Sequence, residues 1–192
     1  MKLTGPVLAS VLLAACGTSS AAPANPDAAH LNTTVMDLRQ GQVVNGVPCL
    51  IADLPEHHVH VHVGVYVDGV SIIVPAGIGV GRPWGFDNTG FLANGACFAW
   101  MHTHDTTGVV HIVTPDQKVF TLGQLFEVWG QPLAPGVAFN YQGMLTVLVD
   151  GRPNEGDPRE VPLTQFENIV LELGQPPAVP PASLYDFSTL QR

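Results

Sequence analysis

His57-His58-Val59-His60-Val61-His62-Val63-Gly64-Val65-Tyr66-Val67-Asp68-Gly69-Val70-Ser71-Ile72-Ile73-Val74 is the stretch that decides the architecture. From His58 to Val67 every second residue is valine, and a period of two marks a strand with two unlike faces. Asp68-Gly69 reads as a two-residue hairpin turn, since both residue types tolerate positive φ, so Val70 to Val74 returns antiparallel. On the outgoing strand His58, His60 and His62 share one face. The valines line the other, which is apolar and suited to a core.

Beyond this hairpin, Pro75 to Asn94 is rich in glycine and lacks periodicity, so it reads as a long loop. Phe98 to His104 is a second strand, Asp105-Thr106-Thr107-Gly108 a turn, and Val109 to Val113 a third strand. Thr121 is placed to cap a short helix, Leu122 to Trp129, closed by Gly130 and Pro132. Met144 to Val149 followed by Asp150-Gly151 repeats the strand-turn pattern of Val63 to Gly69, which hints at two related halves. Ile169 to Leu173 is a closing strand. The expected fold is mainly β, with α+β as its variant: an antiparallel sheet or sandwich of hairpins with one short helix.

The flanks read differently. Met1-Lys2, the apolar run Val7 to Ala15 and Leu13-Ala14-Ala15-Cys16 form a lipoprotein signal peptide over residues 1–15, ending in a lipobox. The run is shorter than the ~20 residues of a spanning helix. Cys16 is then the lipidation site, and the mature chain is exported and anchored by acyl chains in the periplasm, at an outer membrane or on the cell surface. Gly17 lacks the acidic character that would hold it at an inner membrane. Residues 16–44 are expected as lipidated cysteine and tether, 45–174 as the β-rich domain, and 175–192 as a proline-rich tail that packs back or stays loose.

Composition narrows the function. The 192 residues carry seven basic and sixteen acidic side chains, net charge −9, with no basic cluster. Phosphate contacts need clustered Lys and Arg, so nucleic acid is excluded as a partner. Cys49 and Cys97 remain after Cys16, in a compartment that permits disulfides. One disulfide between them is the first reading, and a thiolate ligand from one of them the second.

Six of the eight histidines fall in two groups, which points to a metal ion as ligand. His58, His60 and His62 form the first. His102, His104 and His111 form the second: a four-residue turn sets His104 opposite Val109 and His102 opposite His111, within ~4.5–5.5 Å at Cβ. That hairpin triad is the expected holder of one ion. His58 and His62 lie ~13 Å apart along a strand, too far for one ion with ~2 Å bonds. The first group therefore implies a larger shared centre, with one or two ions. His57 faces away and His30 lies in the tether. Glu56, Asp105 and Trp100 are candidates to orient the imidazoles from behind, while Met101 points to the opposite face. Imidazole sites suit copper, zinc, nickel and iron. Copper comes first, as the tightest divalent binder, and zinc second.

The segment from His58 to Gly174 resembles a group of uncharacterised bacterial exported proteins. The matching residues are His58-Val59-His60-Val61-His62, Cys97-Phe98-Ala99-Trp100-Met101-His102-Thr103-His104-Asp105, Gly108-Val109-Val110-His111-Ile112, Phe120-Thr121-Leu122-Gly123, Trp129-Gly130-Gln131 and Asp157-Pro158-Arg159. The resemblance implies a shared histidine site without naming a reaction. Locally, two histidines at alternate strand positions plus one from the next strand look like the zinc site of α-class carbonic anhydrases. Two functions compete: a metal-binding lipoprotein for storage, delivery or sensing, and a metalloenzyme (copper oxidoreductase, or zinc hydrolase or lyase). The second would use the glycine-rich segment 77–95, with Arg82, Trp84, Phe86 and Asp87, as its lid.

Overall fold

The computed structural model describes residues 30–51, 57–175 and 184–190. Cys16, the signal segment and Glu56 lie outside these residues.

The fold is mainly β with one α-helix among the described residues. Its principal sheet has seven strands. His57–Val67 runs through the middle, with Val109–Thr114 and then Met101–His102 on one side and Asn168–Leu173, Leu145–Val149 and Arg152–Pro153 on the other. Val70–Ile72 returns along the same strand after the expected turn. Asp68 and Gly69 both have positive φ, as do Asp150 and Gly151 in the second Asp-Gly turn, the backbone that such two-residue hairpins require. All pairings in this sheet are antiparallel except one. Asn168–Leu173 lies parallel to the central strand, in register His62 with Asn168 and Val67 with Leu173. The expected, mostly antiparallel sheet with one short helix is what the chain forms, with this one parallel pair added. The parallel pair arises because the chain reaches this strand by a long connection through the helix, not by a hairpin.

Val61, Val63, Val65 and Val67 are buried, together with Ile169, Leu171 and Leu173 from the parallel neighbour. Against this face packs the helix Leu122–Trp129, which brings Phe126 and Trp129 into an aromatic cluster with Phe139. Thr121 caps it by a reciprocal box with Gln124, and Gly130 closes it in the left-handed conformation. One face of the sheet is thereby committed to the core. The histidine face is left for other work.

A second, four-stranded sheet joins Val43–Val44, Val47–Leu50, Cys97–Ala99 and Val80–Gly81. The expected strand Phe98 to His104 is divided between the two sheets. Residues 97–99 pair with Val47–Leu50 and Val80–Gly81, and Met101–His102 pairs with Val109–Thr114, the changeover falling at Trp100. Cys49 and Cys97 form a disulfide, with Cα atoms 5.4 Å apart, so neither serves a metal. Residues 30–44, expected as tether, belong to the domain where they are described. Leu38 is buried, the Trp129 indole donates to the Thr33 carbonyl, and Met36 N–H donates to the Trp129 carbonyl. Large apolar side chains at Leu31, Val35, Met36 and Leu38 are what a tether lacks and a core uses. No described helix is long and apolar enough to cross a membrane.

Candidate metal centre

Strand register builds the site. His111 stands opposite His60 on one side and opposite His102 on the other, so three strands present imidazoles in one row. The His102–His111 pairing is the one expected from the hairpin. His58, two residues from His60, shares its face, with ring centroids 4.4 Å apart. One ring nitrogen each from His58, His60 and His111 lies within 4.8 Å of the other two. Nitrogens bound tetrahedrally at ~2.0–2.1 Å sit ~3.4 Å apart, so this set is close enough to hold one ion. Already His58 Nε2 and His111 Nδ1 approach to 3.1 Å.

The expected hairpin triad of His102, His104 and His111 is thus replaced by a triad that crosses from the central strand to its neighbour. His104 lies past the end of its strand, which stops at His102, and so has no pairing with Val109. It meets His102 instead, Nε2 to Nε2, at 3.0 Å. The two groups remain adjacent, since the His111 ring centroid is 4.7 Å from both His60 and His104. Five imidazoles therefore form one patch.

The sixth does not join them. His62 Nε2 meets the Thr107 carbonyl at 3.0 Å, and its ring stacks on Tyr185. A carbonyl only accepts, so this nitrogen donates and has no lone pair for a metal. The expectation that His62 shares a larger centre with His58 and His60 is therefore corrected, its Nε2 being taken by the Thr107 carbonyl.

Backbone carbonyls orient the rings. His102 Nδ1 meets the Ala99 carbonyl at 2.7 Å and His104 Nδ1 the Leu92 carbonyl at 2.6 Å, the arrangement that metal-binding histidines use to fix their tautomer. Phe91 stacks on His104. The acidic and aromatic candidates do other things. Asp105 Oδ1 accepts from the Thr107 amide and hydroxyl, building the turn whose carbonyl holds His62. The Trp100 ring packs on Phe120 and under the Lys118 ammonium. Met101 is buried in the core, facing away as expected.

Burial depresses the basicity of the cluster. The pKa of His60 falls to about 4 through burial and the neighbouring His58. That of His102 falls to about 3, through burial and then His104, and that of His111 to about 2, through burial and then His102, His104, His60 and His58. His62 is also lowered by burial, with the Thr107 carbonyl and Asn168 pulling the other way. At neutral pH His60, His102 and His111 are uncharged. Metals bind neutral imidazole, so protons compete little here.

Above the triad lies an open cleft of about 860 Å³, walled by Gln165, Phe166, Asp186, Phe187 and Leu190. Residues 184–190 form that outer wall. The Tyr185 amide donates to Asn168 Oδ1, and Phe187 packs on Phe166, so the described part of the tail packs back. No residue of the glycine-rich segment 77–95 lines the cleft. That segment instead contacts His104, through the Phe91 ring and the Leu92 carbonyl.

This is a mainly-β protein with a histidine group close enough to hold a metal ion. No protein-family model, curated protein or solved structure matches the chain, so its function is read from the site itself.

Proposed function

We propose that the chain is an exported, lipid-anchored protein that binds a transition metal through its strand histidines, copper in first place and zinc in second. The observation that carries this reading is the convergence of His58, His60 and His111, all within 4.8 Å at one ring nitrogen each. An all-imidazole set suits either metal, and copper stands highest in divalent affinity. The lipobox read in the sequence at Cys16 supports the location. Metal content of the soluble chain after Cys16, measured by mass spectrometry with an EPR spectrum of the copper form, tests it. His60→Gln should lose the triad ion. Failure of the wild-type protein to take up copper or zinc at micromolar concentration overturns the reading.

One observation favours the enzyme alternative. Three-histidine sites that do chemistry keep a coordination position open, and the cleft opens onto the triad beside Gln165 and Asp186. Ester hydrolysis by the zinc form and oxidation of a phenolic dye by the copper form are the assays that would show such activity. Both should depend on His60.

A further inference from the structure

We infer a second metal position between Nε2 of His102 and Nε2 of His104, which makes the centre binuclear and takes a second copper or zinc ion. A count of hydrogens carries it. Three contacts run in a chain: the Ala99 carbonyl to His102 Nδ1 at 2.7 Å, His102 Nε2 to His104 Nε2 at 3.0 Å, and His104 Nδ1 to the Leu92 carbonyl at 2.6 Å. Both ends are carbonyl oxygens, which only accept. Each contact needs one hydrogen, so the chain needs three. Two neutral imidazoles supply two, whatever tautomers they adopt. With both Nδ1 hydrogens directed at carbonyls, two lone pairs face each other across 3.0 Å. A cation between them resolves the conflict.

That cation is either a third proton or a metal ion. A proton would leave an imidazolium on a pair in which His102 is 1% exposed, and burial disfavours the charged ring. The metal fits the distance. Two nitrogens 3.0 Å apart with bonds of ~2.0–2.1 Å subtend roughly 90–100° at the ion. Both rings are already held in the Nδ1–H form that presents Nε2 to a metal. His111 lies beside both positions, 4.7 Å by ring centroid from His60 and from His104.

The inference deepens the metal-binding reading and rests on it only for the first ion. Native mass spectrometry of the full-length folded protein loaded with copper or zinc should show two ions in the wild type and one each in His60→Gln and His104→Gln. The two readings fail separately, since His60→Gln reports on the triad and His104→Gln on the pair. Equal stoichiometry in wild type and His104→Gln overturns the second position. A measurement on the wild type alone guards against a variant that does not fold. Long-range proton–nitrogen NMR of the imidazoles, during titration with zinc, should move Nε2 of His102 and His104 by the second equivalent. Resonances of this pair that stay fixed, or that report an imidazolium at pH 7.5 with zinc in excess, overturn it as well.

Discussion

Lower the pH of the metal-free protein from 7.5 to 5.0, and His102 alone should remove about 2 kcal/mol of stability. In the unfolded chain its imidazole titrates at its ordinary value of 6.5, whereas in the fold burial and His104 hold it at about 3. Between these values the unfolded chain binds a proton that the folded one does not. Stability is therefore full above pH 6.5 and falls as the pH drops towards 3, by ~1.4 kcal/mol per pH unit. Over the chosen interval this integrates to about 2 kcal/mol, against a total of ~5–15 for a domain. His111, held at about 2, acts in the same direction, and His60 does so more weakly because it is half exposed to screening solvent. Glu172 opposes them, since burial raises its pKa. Urea unfolding of the chelator-treated protein across this range measures the sum. His102→Gln isolates one contribution: its pH-dependent loss should be smaller by about 2 kcal/mol, near 1 M in urea midpoint. Identical pH dependence in wild type and variant would refute the reasoning.

Three further outcomes are expected. Gly108 has φ +85°, and a Cβ there would run into the Val63 carbonyl, so Gly108→Ala should cost ~2 kcal/mol or more in thermal unfolding and shift the His62 imidazole resonances. Opening the Cys49–Cys97 link by Cys97→Ser frees a loop of sequence separation 48, for which the chain-entropy relation gives ~4 kcal/mol; a midpoint unchanged in denaturant would contradict it. His62→Ala should leave metal stoichiometry unaltered while lowering stability, because its Nε2 serves the Thr107 carbonyl; a lost ion on mass spectrometry would return His62 to the ligand set.

What could be read from the sequence was whatever depends on neighbours along the chain. Alternation from His58 to Val67 set the two faces of the central strand, Asp68-Gly69 and Asp150-Gly151 set two turns, and Thr121 with Gly130 bounded the helix. The spacing of His102 and His111 about their turn also predicted their pairing. Long-range partners were not legible. Nothing local distinguishes a closing strand that pairs in parallel with His62–Val67 from one that pairs antiparallel. The identity of the triad was missed for a related reason. His104 lies beyond its strand and is turned by the Leu92 carbonyl, a contact from a short strand whose segment shows no periodicity in the sequence. The same holds for residues 30–44 and 184–190, whose places depend on Trp129 and His62, distant in sequence.

The wall formed by residues 184–190 has a practical side. Leu190 borders the mouth of the cleft over His58, His60 and His111, and only two residues follow it in the sequence, so a tag joined after Arg192 starts at most ~7 Å of chain from that mouth. A polyhistidine purification tag placed there would compete for the same ions and inflate every count of bound metal. Handling the protein without such a tag, or with one removed from the other end, keeps the stoichiometry a property of the site.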